Sequence, residues 1–424
     1  MKLNSVELLG ELEWRGLLFQ STDADALRKE LEHPVSFYCG FDPTAASLHH
    51  GNLVQIILLR HLQNAGHKPF CVVGGATGLI GDPRMSGERN MNDEETVREW
   101  GKKVGSQLTK YLKIDGENAV QLLNNYDWTS KLTAIDFLRS VGKNFRVGSM
   151  IAKDTVKTRL EGEGLSYTEF SYQVLQGYDF YILNRDYGVK LQTGGQDQWG
   201  NLTSGLDLIH KMTGESVHVM TTPLVTKADG SKFGKSEGGA IWLDPEMMSP
   251  YEFYQFWLNV QDSEVVKLLK VFTFLGRDEI ERLEAEVESN PGRREAQSVL
   301  AAEVTRFVHG DTALNEAVSA SKALFGLSDL TELSAKVLGT ALSGVEVFEF
   351  EGETQLGQLF VQTKLCASFS DFVRTVKAGG VYVNNEKVLD AKSNVDQKML
   401  LNGGFLVLRK GKKSIAGAKM KGSE

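Results

Sequence analysis

Three short stretches hold residues whose types and spacing can do chemistry. In the first, Tyr38-Cys39-Gly40-Phe41-Asp42-Pro43-Thr44-Ala45-Ala46-Ser47-Leu48-His49-His50-Gly51-Asn52, an apolar strand meets a sharp turn at Asp42-Pro43-Thr44 and then a helix entered through Ser47. A helix that starts where a strand ends presents free backbone N–H groups and a positive dipole end, and together these attract phosphate. His49 and Asn52, three residues apart, share a helix face and can both donate to phosphate oxygens, while Gly51 leaves room for a flat ring. Taken alone, the segment reads equally as a capped helix with two surface histidines. The second stretch, Thr226-Lys227-Ala228-Asp229-Gly230-Ser231-Lys232-Phe233-Gly234-Lys235-Ser236, sets Lys232 and Lys235 on a glycine-flanked, hydroxyl-rich loop. Two ammonium groups there suit a triphosphate whose charge shifts during reaction. The loop is not a P-loop, because that spacing requires a glycine at Asp229. The third, Gly194-Gly195-Gln196-Asp197-Gln198-Trp199-Gly200-Asn201, follows a strand at Val189–Gln192 and opens a helix that runs to about Met212.

Two more patterns accompany these. The run Gly74-Gly75-Ala76-Thr77-Gly78-Leu79-Ile80-Gly81-Asp82 has G-x-x-G-x-x-G spacing, which is not the dinucleotide fingerprint and disfavours a nicotinamide-dependent dehydrogenase. Tyr172, Gln176 and Asp179, four and three residues apart, fall on one face of a helix.

The elements that must position these residues alternate. Strands at Val35–Phe41, Pro69–Gly75, Val120–Asn124, Val189–Gln192 and Val217–Thr221 are separated by helical patterns at His49–Ala65 and Glu94–Leu112. That order implies an α/β fold, a mostly parallel sheet with helices on both faces and ligands at the carboxyl ends of its strands. The segment from about 130 to 184 is more helical and interrupts the strands. From Ser249 to Ser328 the pattern is almost all helix, with Val265, Val266, Leu268, Leu269 and Phe272 behind Ser263 as an N-cap candidate. Residues 329–354 read as a linker. The remainder carries strands at Gly380–Val383 and Phe405–Leu408 and a helix around Ser370–Ala378.

Composition narrows the class. With 424 residues, 41% hydrophobic and 24% charged, the chain reads as a soluble protein of two or three domains. No apolar run reaches membrane-spanning length, and the N-terminus lacks the apolar core of a signal peptide. Cys39, Cys71 and Cys366 form neither a metal pattern nor a disulfide framework, so a reducing cytoplasm is expected. Cys39, beside the opening motif, is a candidate to line the site. The net charge of −8 is uneven: from Gln355 onward there are twelve Lys and Arg against five Asp and Glu. An acidic body with a basic tail suggests that the tail meets a polyanion.

The first stretch resembles the HIGH motif, and the lysine loop the KMSKS motif, of class I aminoacyl-tRNA synthetases. The text YCGFDPTAASLH, GGATGLIGDP, NNYDW, SYTEFSYQVLQGYDF, GGQDQWGN, TKADGSKFGKSEGGAIWLD and SPYEFYQFW is similar to the bacterial tyrosyl-tRNA synthetases, from roughly Leu8 to Val308 and again in the tail. The resemblance implies a Rossmann-like, doubly wound parallel-sheet catalytic domain over 1–248, with a dimerisation insertion at about 130–184 and a mobile lysine loop at 226–238. A helical domain (249–328), the linker and a small α+β RNA-binding domain (355–424) would follow.

It also implies activation of tyrosine by ATP, with magnesium on the phosphates, then transfer to the terminal adenosine of tRNA(Tyr), in a cytoplasmic homodimer. By the same resemblance Tyr38 and Asp179 take the phenol, and Tyr172, Gln176 and Asp82 the ammonium, with Gln198 near the carboxylate. Asn125 and Trp128 support Asp179. His49, Asn52, Lys232, Lys235 and Thr44 serve the triphosphate. Gly40, Asp42, Gly51, Phe233, Gly234 and Ser236 complete the ATP site. No dedicated metal ligands and no editing domain are expected.

Three positions depart from the family pattern. The fourth HIGH position is Asn52, an amide that can donate but cannot become cationic. His50 stands where an aliphatic residue is usual, and facing solvent, packing or reaching ATP are all open to it. The segment Pro83-Arg84-Met85-Ser86-Gly87-Glu88-Arg89 lacks the usual lysine, which leaves Arg84 and Arg89 as candidate cations. Tryptophanyl-tRNA synthetase, or a synthetase-derived RNA-binding protein, is the competing reading.

Overall fold

A computed structural model of the chain describes residues 5–83, 91–162, 164–226, 233, 240–324, 329–342, 344–411 and 414–422. Its contacts divide it into two compact units, Met1–Leu243 with Asp262–Pro291, and Asp244–Gln261 with Gly292–Glu424.

The first unit is built on a sheet of β1 (Gln20–Ser21), β2 (Ser36–Phe41), β3 (Lys68–Val73), β4 (Gln121–Asn124), β5 (Val189–Gly195) and β6 (His218–Thr222), in spatial order β1-β6-β5-β2-β3-β4. Every neighbouring pair is parallel except β1 with β6. Strands covered on both faces need apolar side chains in both directions, and β3 and β6 are buried almost throughout. Side chains alternate along each strand, so neighbours in sequence serve different helices. Tyr38, Phe70 and Val72 pack with Phe180, Leu183 and Leu202 from the helices Tyr167–Tyr187 and Trp199–Thr213. On the opposite face Cys39 Sγ lies 3.9 Å from Gln55 Oε1 of the His50–Asn64 helix. Cys39, expected to line the site, is therefore buried behind the sheet, because Tyr38 before it takes the other face.

The start of the His50–Asn64 helix differs from expectation. Ser47 does not cap it: its hydroxyl donates to Leu48 O at 2.7 Å and accepts from Gln107 Nε2 at 3.0 Å. The cap passes to His49, whose Nδ1 accepts from Gly51 N at 3.0 Å while Asn52 Oδ1 accepts from His49 N at 3.0 Å, forming a capping box.

Between β4 and β5 the chain makes short helical pieces, among them Val147–Ile151 and Asp154–Glu161, before the long Tyr167–Tyr187 helix. They gather their own apolar cluster, including Val141, Met150, Val174 and Tyr178. A buried ion pair, Arg159 to Glu169 at 3.0 Å, fastens the insertion to that helix.

The helices expected as one domain over 249–328 are shared between the units. Asp262–Phe272 and Arg277–Ser289 group with the first unit. Buried Arg15 explains this, since its guanidinium donates to the carbonyls of Lys270, Thr273 and Leu275 at 3.2, 2.8 and 2.5 Å. In the second unit Pro250–Leu258, opened by a Ser249/Glu252 capping box, packs along Glu295–Leu324.

Residues 329–354, expected as a linker, are folded. They contain the helix Ala335–Leu342 and β7 (Val347–Phe350). β7 lies parallel to β11 (Ser414–Met420), in a sheet with β10 (Phe405–Lys410), β8 (Val381–Val383) and β9 (Glu386–Lys387), ordered β7-β11-β10-β8-β9. Leu338 and Leu342 share a cluster with Ala320, Leu324, Phe405 and Val407. The acidic residues that made the segment look like a linker, Glu346 and Glu349, face solvent while Phe350 faces the core.

Candidate active site

A cavity of about 760 Å³ opens at the carboxyl ends of β2, β3, β5 and β6. It lies where the strand order reverses on either side of β2, the usual ligand position in an open parallel sheet. Tyr38, Gly40, Asp42, Thr44, His49, Gly51, Asn52, Asp82, Tyr172, Gln176, Asp179, Gln198 and Phe233 all line it, so thirteen residues expected from sequence meet at one cavity. Lys232, Gly234, Lys235 and Ser236 lie outside the described residues, as do Arg84 and Arg89. His50, left open by the sequence, also lines the cavity.

One end is a polar chain buried in apolar surroundings. Asp179, 4% exposed, accepts from Trp128 Nε1 at 2.7 Å and Asn125 Nδ2 at 2.9 Å. Asn125 Nδ2 also reaches Thr77 Oγ1 at 3.0 Å, Thr77 donates to Asp42 Oδ1 at 2.7 Å, and Tyr172 donates to Asp42 Oδ2 at 2.7 Å. Two carboxylates are thus joined through an amide and a hydroxyl. Gly74 permits the approach: a Cβ there would overlap Asp42 Oδ1 and Thr77 Oγ1. Burial pushes the Asp179 carboxyl up to about 7, against the opposing pull of its two donors. Burial and neighbouring carboxylates likewise raise the Tyr172 phenol, with burial the larger cause.

At this end of the cavity two buried polar atoms have no partner among the described residues, Tyr38 Oη and Gln176 Oε1. Unpaired polar atoms cost stability when buried, so two facing one cavity mark where a ligand supplies the missing bonds. The nearby Asp82 is held by Gln198 Nε2 at 3.0 Å and Asn201 Nδ2 at 2.8 Å.

The other end is the helix start. His49 turns its Nδ1 back onto Gly51 N, which leaves Nε2 as the donor when the ring is neutral. The sequence reading put His49 and Asn52 on one helix face; here His49 precedes the helix as its cap. Asn52 gives Oδ1 to the cap, so its Nδ2 is the group left to donate. Burial lowers the His49 pKa. His50 Nε2 meets Phe233 O at 2.9 Å.

Sequence reasoning missed Thr77, Asn201, Gln55 and Thr222. Thr77 sits within a glycine run and Asn201 one turn beyond Gln198, and neither position carries a mark of its contact with a carboxylate. Among the described residues no group of three His, Cys, Asp or Glu could hold a metal ion, and no helix is long and apolar enough to cross a membrane.

Residues 29–326 match the family described as tRNA synthetases class I (W and Y), and residues 338–416 match the tyrosine–tRNA ligase SYY-like C-terminal domain. The tyrosine–tRNA ligase of Bifidobacterium longum (strain NCC 2705) is 53% identical over 420 residues, 96% of each chain. That of Streptomyces griseus subsp. griseus is 54% identical over 413 residues, 97% of this chain and 98% of the other. Among solved structures, a C-terminally truncated Aspergillus nidulans mitochondrial tyrosyl-tRNA synthetase superposes with a TM-score of 0.68 at 32% identity, covering 75% of this chain and 94% of that one. With a sheet, cavity and tail of this kind and relatives matched along nearly its whole length, this chain belongs to the class I tRNA synthetases of the W and Y family.

Proposed function

We propose that this chain is a tyrosine–tRNA ligase that forms tyrosyl-adenylate from tyrosine and ATP and then charges tRNA(Tyr). The observation that carries the reading is the pairing, on one buried wall, of the unpartnered Tyr38 hydroxyl with a carboxylate, Asp179, fixed by two donors. A phenol can donate to Asp179 and accept from Tyr38. Phenylalanine would leave the Tyr38 hydroxyl without a partner and offer no donor to Asp179, and a buried polar group without a partner discriminates strongly. The ammonium would fall to Gln176 Oε1, with Tyr172 and Asp82 close by, and Gln198 would attend the carboxylate.

In the first step a tyrosine carboxylate oxygen attacks the α-phosphorus of ATP. The bond to the bridging oxygen of the β-phosphate breaks and pyrophosphate leaves. Little proton transfer is needed, so positioning and charge stabilisation dominate. His49 Nε2, Asn52 Nδ2 and the Thr44 hydroxyl serve as donors to the phosphates, and Lys232 and Lys235 meet the charge that develops on pyrophosphate. Gly40, Asp42 and Gly51 leave space along the nucleotide. Magnesium enters on the ATP phosphates as part of the substrate. A ribose hydroxyl of the terminal adenosine of tRNA then attacks the anhydride carbonyl, and AMP leaves.

The second unit, with its excess of basic residues from Gln355 onward, would hold the tRNA. The insertion between β4 and β5 exposes Ile135, Leu138, Val147 and Leu160, an apolar set suited to pairing two copies of the chain in the cytoplasm. The deciding experiment is ATP–pyrophosphate exchange with single amino acids. Tyrosine should support it and tryptophan and phenylalanine should not; exchange driven by tryptophan would overturn the reading.

A further inference from the structure

His50 bonds to the chain at Phe233, within the lysine loop, and at Ile241, beyond its end. The main-chain N of His50 donates to Ile241 O at 2.9 Å, and its ring nitrogen Nε2 lies 2.9 Å from Phe233 O. Ile241 is where the chain leaves the loop, and the neighbouring bridge of His49 with Trp242 and the bond from Leu243 N to Leu48 O at 2.9 Å hold the same exit. Phe233 lies inside the loop, with Lys232 directly before it and Lys235 two residues beyond. It is 4% exposed, its ring stacks edge-on to His50 at 5.9 Å and lies 6.5 Å from Phe272, and its N donates to Val225 O at 3.1 Å.

A carbonyl oxygen can only accept, so the ring donates from Nε2 and carries its lone pair on Nδ1. Nδ1 is buried and has no partner among the described residues, which suits a neutral ring and opposes a second proton. Burial first, and His49 second, push the His50 pKa down to about 4, so the ring stays a neutral donor at physiological pH. An aliphatic side chain at this position could keep the packing on Phe233 but could not bond its carbonyl.

We propose that His50 is a positioning residue of the adenylation step, whose ring-to-carbonyl bond anchors Phe233 at the cavity and so steadies the segment in which Lys232 directly precedes Phe233 and Lys235 follows two residues later. This rests on the function proposed above. His50 acts through Phe233, and the bond matters most when the two ammonium groups must meet the departing pyrophosphate. Its loss should therefore reduce the rate of the chemical step and leave tyrosine binding intact, because the phenol and ammonium sites lie at the other end of the cavity.

The test compares His50→Leu, which keeps apolar volume, with His50→Gln, whose amide nitrogen reaches the position of Nε2. The rate of tyrosyl-adenylate formation at saturating ATP should fall about fivefold to tenfold in His50→Leu, the scale of one neutral hydrogen bond. It should recover to within about twofold or threefold of the parent in His50→Gln, with the tyrosine dissociation constant unchanged in both. Trypsin cleavage at Lys227, Lys232 and Lys235, which needs no catalytic activity, should accelerate in His50→Leu and return toward the parent rate in His50→Gln. Equal rates in His50→Leu and the parent, equal loss in both variants, or a parallel loss of tyrosine affinity would overturn the proposal. Absence of tyrosine-dependent exchange in the parent would overturn the proposed function instead, and the cleavage rates would still decide whether His50 anchors the loop.

Discussion

Replacing Asp179 by asparagine should make the ligand-free protein less stable in mild acid and more stable in mild base. The folded protein raises this carboxyl from 3.8 to about 7, chiefly through burial. A folded pKa above the unfolded one means that the folded state holds the extra proton between those values. The contribution to stability is therefore complete below pH 4 and is lost as pH rises toward 7, at about 1.4 kcal/mol per pH unit. Between pH 5 and pH 8 the parent should lose about 3 kcal/mol from this one group. Asp179→Asn cannot titrate, so it escapes that loss. It carries a constant cost of about 1–2 kcal/mol, because its amide offers one acceptor where Asn125 Nδ2 and Trp128 Nε1 both donate.

The difference between variant and parent should therefore change sign across this range and move by about 3 kcal/mol in total. Buried histidines such as His61 and His67, whose pKa values are lowered to about 3 and 4, change stability in the opposite direction, but they do so in both proteins and cancel in the difference. Urea unfolding of both proteins at pH 5 and pH 8, without tyrosine or ATP, measures it. A variant-minus-parent difference that is the same at both pH values would refute the assignment of a buried, titrating carboxyl. The same variant should also narrow the preference for tyrosine over phenylalanine in pyrophosphate exchange.

Lys232→Ala and Lys235→Ala should each slow adenylate formation by about tenfold or more while the tyrosine dissociation constant stays within about twofold; comparable losses in both would indicate a structural role. Asn52→Asp should keep the capping bond to His49 N and match or exceed the parent in thermal stability, since an anion suits a helix start. Its added charge should still slow adenylate formation by about tenfold or more, measured by single-turnover kinetics, and an unimpaired rate would place Asn52 away from the phosphates. Lys377→Glu combined with Lys387→Glu, both exposed, should leave tyrosine-dependent exchange unchanged while weakening tRNA charging. The slope of log affinity against log salt should become shallower by about two, and an unaltered slope would remove these lysines from the tRNA surface.

Much of the site was legible because it is written in contiguous residues. Residues 38–52 carry a strand, a turn and a helix start in order, and local geometry alone brings Tyr38, Gly40, Asp42, His49 and Asn52 to one end of the sheet. Tyr172, Gln176 and Asp179 were legible for a similar reason, since spacings of four and three leave a helix no choice of face. What depended on contacts between distant segments was not legible. The cap moved from Ser47 to His49 because Gln107, on another helix, occupies the serine hydroxyl. Cys39 left the site because its neighbours Tyr38 and Gly40 had already taken that face of the strand. Residues 329–354 read as a linker because their acidic residues dominate the composition, yet Leu338, Leu342 and Phe350 find partners that lie roughly sixty or more residues later, around Phe405 and Ala418. His50 is the sharpest case. Residue type and spacing left it free to face solvent, pack or reach ATP, and only the placement of Phe233 against the helix start set a carbonyl within reach of its ring. A motif fixes which groups are present and in what order, whereas the partner of a buried polar atom is set by whichever distant segment the fold brings to it.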